Sequence, residues 1–209
     1  MADEVVEMLR EAAREALPPM EGELQAGGLS GPVEVRRDRW GVPHISASNL
    51  HDLFFAQGFV VAADRYFQIE LLMRYSSGQL SELIGALTLP LDRFVRTLGW
   101  PSMAARHVAG WDQESKDNVG AFWSGVAAWG NQMPAPPVEY AILEADPWIP
   151  TVEEGCQATA GFALLLAYTL TRNWDAELLR AEVAECLGID AMLDLFPDVR
   201  NLPAIIQAG

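Results

Sequence analysis

The chain has 209 residues, half of them apolar, which is enough for one domain with a real core. Lysine and arginine total 14 against 29 for aspartate and glutamate, and the formal charge of -15 repels a phosphate backbone, so nucleic acid is excluded as a partner. No apolar run reaches the roughly 18 residues of a membrane-spanning helix; the longest, Ala158 to Leu170, reads as buried core.

The opening MADEVVEMLREAAREAL is acidic and charged throughout and lacks the basic start and apolar middle of a secretion signal, which leaves a cytoplasmic chain or one whose leader was removed or replaced. Behind Asp3, the residues Val5, Met8, Leu9, Ala12, Ala16 and Leu17 recur at helical spacing, predicting an amphipathic helix stopped by Pro18 and Pro19. A loop, MEGELQAGGLSGP, follows. Val33 and Val35 then alternate with Glu34 and Arg36, and DRWGVP separates this strand from a second short one at His44 to Ala47.

Ser48 or Asn49 caps the next helix, whose Leu50, Phe54, Phe55, Phe59 and Val60 form a broad apolar surface, with Gly58 permitting close packing. A further helix is expected from about Asp64 to Ser77, ended by Gly78 in a left-handed conformation. Leu80, Leu83 and Ile84 extend that surface to Gly85. Helical pattern resumes from Leu91 to about Gln132, interrupted at 99–101 and 110–112. After the MPAPP loop, helices are expected at 138–143, 152–170, 174–187 and 189–195, bounded by Pro147, Pro150 and Pro197.

The three histidines, His44, His51 and His107, have no partner at the spacing that puts metal ligands on one helical face, so a zinc centre is not expected. There is no GxSxG elbow, no SxxK pair, no phosphate-cradling glycine loop and no strand-turn-helix setting for a dinucleotide. Cys156 and Cys186, thirty residues apart without a CxxC, read as two free, buried thiols rather than a disulfide. Asp38, Arg39, Asp64, Arg65, Glu70, Arg74, Glu82, Asp92, Arg93 and Arg96 sit among apolar residues and are expected to pair internally, because charge beside a core needs a partner. His44 is expected to hydrogen-bond across a packed turn. Near the C-terminal third, YTLTRNWDAELLRAEV reads as a helix opened by Asp175 with Glu177 in its first turn, where carboxylates suit the exposed amide groups.

One stretch carries more. Residues 33 to 85 contain RDRWGVPHI, DLFFAQG, ADRYFQ and GQLSELIG in order, and this segment resembles the opening of the small subunit in the penicillin acylase family of N-terminal-nucleophile hydrolases, which includes penicillin, acyl-homoserine lactone and aculeacin-type acylases. The resemblance continues more loosely through 91–100, 136–155 and 173–188 and covers roughly residues 18 to 200. It implies a mainly α-helical small subunit with short β elements, packing with a large-subunit αββα sandwich. The corresponding organisation is an N-terminal helix and loop over 1–30 and a helix-rich domain over 31–209 that the large subunit completes.

Members of that family are made as one precursor that cuts itself before a serine, commonly after a glycine, and Gly209 fits such a junction. The resemblance implies that the partner chain's N-terminal serine attacks an amide carbonyl with its own α-amine as base, at an intrinsic pKa near 7.7 to 8.0, which explains the missing triad here. This chain would hold no catalytic residue. It would line the acyl pocket through Tyr168, Arg172, Asn173 and Trp174, and Glu177 would give an oxygen to a structural calcium shared with the large subunit, with no organic cofactor. The substrate implied is an N-acylated small molecule of the β-lactam, acyl-homoserine lactone or lipopeptide class. The alternative is a noncatalytic scaffold or binding subunit of a homologous complex that has lost hydrolysis.

Overall fold

A computed structural model describes residues 2–171 and 174–196. The chain divides into two compact units, Met1–Leu165 and Leu166–Gly209. The helices are α1 (Ala2–Glu15), α2 (Leu50–Ser77), α3 (Ser81–Ile84), α4 (Leu89–Leu98), α5 (Trp100–Ala109), α6 (Gln113–Gly130), α7 (Val138–Leu143), α8 (Val152–Thr171), α9 (Trp174–Leu187) and α10 (Ile189–Leu195). The strands are β1 (Glu34–Arg37) and β2 (Pro43–Ser46), an antiparallel pair in the register Val35 to Ile45 and Arg36 to His44.

The two helices expected over 50–77 are one. Asn49 caps it, its side chain accepting from the Asp52 amide, and the break that the sequence places between them survives as a kink at Arg65 (φ -145°, ψ 31°). Gly78 closes the helix in the left-handed region (φ 68°, ψ 42°), and its amide reaches the Arg74 and Tyr75 carbonyls.

The centre of the first unit is the contact of α2 with α6. A methyl group at Gly58 would lie 1.9 Å from the Phe122 carbonyl oxygen, and one at Gly125 would lie 1.9 Å from that of Phe55. The two glycines therefore let the backbones touch, and the helices cannot approach so closely with any side chain there. Around them lie Ala62, Tyr66, Met73, Trp123, Val126, Trp129, Tyr140 and Cys156, with Phe59 and Phe67 edge-on to Trp129 and Tyr140. The Trp123 indole donates to Thr159 Oγ1 at 2.9 Å, so a buried ring keeps its polar atom satisfied and ties α6 to α8.

Several expectations are corrected by burial. Cys156 is buried, but Cys186, on an outward part of α9, is exposed; both are free. The stretch from Ala158 is not core throughout: Ala160 and Leu165 are buried, whereas Leu166 is exposed, because the helix presents only one side to the packed interior. On α1, Val5 and Met8 are exposed, and only the Leu9, Ala12 and Ala16 side is half-buried. Among the described residues, no helix is long and apolar enough to cross a membrane.

Candidate functional site

The charged residues expected to pair do so mostly around α2. Glu70, only 1% exposed, accepts from Arg74 Nε at 2.7 Å, from the Tyr140 hydroxyl and from the Trp148 amide at 2.9 Å. Arg74 continues to Glu82 at 3.0 Å and lies over the Trp148 ring, while Tyr66 donates its hydroxyl to the Trp148 carbonyl. One carboxylate thus fastens α2, α7 and the segment entering α8. Burial pushes both tyrosine hydroxyls far up from their ordinary value, and the negative charge of Glu70 adds to the effect, so they stay protonated and donate.

A second buried carboxylate, Asp52, ties the N-terminus of α2 to the preceding loop. It accepts from the Ser30 amide (2.9 Å) and hydroxyl (2.7 Å), the Gly31 amide (3.1 Å) and Asn49 Nδ2 (2.8 Å). The Ser30 backbone bond, then its hydroxyl, hold the carboxyl well below the usual range against the opposing pull of burial. A third, Asp92 on α4, receives the Leu80 and Ser81 amides at 2.9 and 2.7 Å. Burial alone would raise it, but these bonds and the charge of Arg96 outweigh that and keep it low.

Ser30, Asp52 and His51 superficially form a hydroxyl, carboxylate and imidazole set. The order is wrong for nucleophilic catalysis: the serine donates to the carboxylate, and the imidazole, 3.1 Å from the other carboxylate oxygen, does not hold the hydroxyl that it would need to deprotonate. His44 is exposed rather than packed and faces Asp38 at 3.4 Å; that aspartate braces the hairpin turn by accepting the Trp40 and Val42 amides. Arg37 locks the hairpin onto α2 through two bonds to Asp64, at 2.9 and 2.8 Å. Arg39 stacks on the exposed Trp40, and Arg65 and Arg93 are exposed rather than internally paired.

Of the residues expected at the acyl pocket, Tyr168 lies half-buried near the end of α8. Arg172 and Asn173 lie outside the described residues, as does the side chain of Trp174, whose backbone begins α9. Asp175 therefore stands inside the first turn rather than opening the helix. Glu177 is exposed and bonded to Arg180 at 2.9 Å, one turn along. Gly209 lies outside the described residues. Among the described residues, no group of three or more histidine, cysteine, aspartate or glutamate side chains comes together as a metal centre.

Among the described residues, cavities open in the first unit. One, of about 470 Å³, lies among Met73, Arg96, Ala104, Trp148 and Gln157; another, of about 560 Å³, is walled by the 18–37 segment, Phe55, Phe59 and Trp129. The buried carboxylates Asp52, Glu70 and Asp92 are spent on fastening segments.

Asp52 was not among the residues singled out from the sequence. Its signal was Asn49 three residues earlier, an N-cap whose Oδ1 accepts from the Asp52 amide while its Nδ2 donates to the Asp52 carboxylate. The pairing of Glu70 with Arg74 is legible as an i,i+4 pair, but its bonds to Tyr140 and Trp148 span 70 and 78 residues of sequence and have no local signal.

A family model described as penicillin amidase matches residues 32–204. The chain is 43% identical over 143 residues to the penicillin acylase 2 proenzyme of Pseudomonas sp. (strain SE83), a match covering 68% of this chain and 18% of that protein. It is 28% identical over 194 residues to the acyl-homoserine lactone acylase QuiP of Pseudomonas putida, covering 91% of this chain and 23% of that protein. The chain thus spans about a fifth of the length of these curated relatives. Among solved structures, a thermostable penicillin G acylase from Alcaligenes faecalis shares the fold with a TM-score of 0.67 at 23% identity, covering 85% of this chain and 98% of that one.

Proposed function

This chain belongs to the penicillin amidase family, and we propose that it is the small, helix-rich subunit of a heterodimeric amidohydrolase acting on N-acylated small molecules of the β-lactam, acyl-homoserine lactone or lipopeptide class. The observation that carries this reading is the family match over 32–204 in a chain whose matches cover about a fifth of its curated relatives, one of which is named a proenzyme. A solved chain of comparable extent, covered to 98%, supports a segment of this size standing as a chain of its own.

In this reading the large chain supplies an N-terminal serine. Its hydroxyl oxygen attacks the amide carbonyl, its proton passes to the α-amine, and collapse of the tetrahedral intermediate expels the leaving amine, which takes that proton. Water then releases the acyl group and restores the serine. The small chain walls the acyl pocket with Tyr168, Arg172, Asn173 and Trp174. Its buried carboxylates fasten α2, α7 and the segment entering α8.

Glu177 is assigned one oxygen of a calcium ion held mainly by the large chain. Calcium gathers six to eight oxygens, and a single exposed carboxylate already bonded to Arg180 does not hold it alone. The ion is a clamp between chains in this reading, and no step of the reaction passes through it.

Co-expression with the remainder of the precursor tests the proposal. Hydrolysis of phenylacetyl, phenoxyacetyl or aliphatic acyl amides only when both chains are present, with serine, threonine or cysteine first in the large chain, is the expected result; another first residue and no hydrolysis would favour the scaffold alternative. Asn173→Ala should redistribute rates among acyl groups, whereas a uniform collapse in a correctly processed and assembled enzyme would assign it a transition-state role instead.

A further inference from the structure

Helix α8 is seated at three levels along its length. At its start Thr151 and Glu154 cap each other, the Thr151 hydroxyl accepting from the Glu154 amide at 3.2 Å and the Glu154 carboxylate from the Thr151 amide at 2.8 Å. Next, Gly155 lies so close to the Trp123 ring that a methyl group there would overlap it, and the Trp123 indole bonds to Thr159. Finally, a methyl group at Gly161 would lie 2.9 Å from Ser76 Cβ and 3.2 Å from its Oγ. Ser76 has no room to withdraw. It is buried in the last turn of α2, and Arg96 pins the end of that turn by donating to the Gly78 carbonyl at 2.7 Å. Leu165 and Tyr168 follow Gly161 by four and seven residues, which places all three on one side of α8. Leu165 is buried and Tyr168 half-buried.

We propose that Gly161 is a positioning residue for acyl selectivity: its contact with Ser76 sets how closely α8 lies on α2, and so where Tyr168, two turns on along the same side, stands in the acyl pocket. The inference deepens the two-chain reading above and rests on it. In that reading Tyr168 meets the acyl group, and Gly161 acts only through it. A methyl group forced between Gly161 and Ser76 tips or lifts the helix, and at about 1.5 Å of rise per residue Tyr168 lies about 10 Å farther along. A small displacement of a pocket wall changes which acyl length fits, because one methylene more or less alters discrimination by about tenfold or more.

The test uses the assembled, processed two-chain enzyme. Its readout is the ratio of kcat/KM for phenylacetyl and phenoxyacetyl amides, which hold the same ring at two distances from the carbonyl, or for two aliphatic acyl chains one methylene apart where the wild type prefers those. Gly161→Ala should shift that ratio by about tenfold. Adding Ser76→Gly makes room for the methyl group, and the double variant should return to within about twofold of the wild type. The Ser76 hydroxyl donates to the Met73 carbonyl, which Ser77 also serves, so its removal strands no partner. A merely structural glycine would lower the melting temperature and slow both substrates alike. A Gly161→Ala ratio within about twofold of the wild type therefore overturns the proposal, as does a shift that Ser76→Gly fails to reverse. If Gly161→Ala does not assemble, Ser76→Gly alone decides: it lets α8 settle closer and should move the ratio, and an unchanged ratio overturns the proposal. A wild-type complex that hydrolyses no acyl amide overturns the two-chain reading itself.

Discussion

In the Met1–Leu165 unit, Asp52, Glu70 and Asp92 lie inside, each almost inaccessible and each accepting at least two hydrogen bonds, whereas the carboxylates of α9 and α10 lie in water beside leucines as exposed as they are. The same residue types do opposite things. Inside the first unit a charge is tolerated because it joins segments far apart in sequence, and removing one member leaves the others desolvated and unpaired. On α9 and α10 charged and apolar side chains alike are exposed, and none of residues 175–196 is buried. A core that closes on itself is thus legible in how its buried polar groups are satisfied, more than in how many apolar residues it has.

The largest expected effect breaks the first half of that contrast. Glu70→Leu strands Arg74, Tyr140 and the Trp148 amide, and removing one partner of a buried pair costs about 3–5 kcal/mol. For a chain of this size each kcal/mol moves the melting temperature by about 2–4 °C. Glu182→Leu, on exposed α9, should move the melt of the free chain by no more than about 0.5 kcal/mol. Tryptophan fluorescence melts of the two variants check this; equal shifts would mean that the buried network does not hold the first unit together.

A smaller effect is expected at the α2 and α6 contact. Gly58→Ala or Gly125→Ala forces a methyl into a backbone carbonyl, an overpacking that costs about 1–3 kcal/mol. Chemical denaturation should report a lower midpoint for each. The two changes act on one contact, so their costs should fall short of additive once the helices have been pried apart.

Acid sharpens the same comparison. The Asp52 and Asp92 carboxyls are held below their ordinary value in the folded state. Each therefore contributes stability that is fully present above the unfolded value, near pH 3.9, and is lost as pH falls through the lower folded value. The first unit should lose stability with falling pH below about 4. Asp52→Asn should flatten that slope, measured as midpoint against pH; an unchanged slope would remove Asp52 from the account.

Local chemistry made much of this legible. The helix ends at Gly78 and Gly99, the helix over 138–143 and the pair over 174–187 and 189–195 follow from proline, glycine and apolar spacing alone. Gly58 was legible as a close approach, but its counterpart Gly125 was not, because nothing in sequence says which helix arrives there. The run from Ala158 was misread as core throughout since composition cannot tell a fully buried helix from one that presents a single side to the interior. Cys186 misled for the same reason. As for the site, the motifs over 33–85 identify the family, while of the residues expected at the pocket Arg172 and Asn173 lie outside the described residues.

The smallest expected effect lies at Glu177, where the two regions meet the question of calcium. In the free chain Glu177 is bonded to Arg180 with both side chains substantially exposed. Such pairs contribute at most about 1 kcal/mol, because water already solvates both charges and the long side chains lose freedom in pairing. Glu177→Gln should therefore leave the free chain's melt almost where it was. In the two-chain complex the same carboxylate, if it turns to a calcium ion, exchanges a screened neighbour for a desolvated divalent one, and the ion's binding energy then stabilises the assembly by mass action. Metal analysis of the dialysed complex, with melts in the presence and absence of a chelator, reads this directly. The expected pattern is a chelator-sensitive wild-type complex and a Glu177→Gln complex that has lost the metal and the sensitivity while keeping its substrate preference. A wild-type complex without calcium, indifferent to chelator, would leave Glu177 as a first-turn carboxylate favoured by the helix terminus and by Arg180 alone.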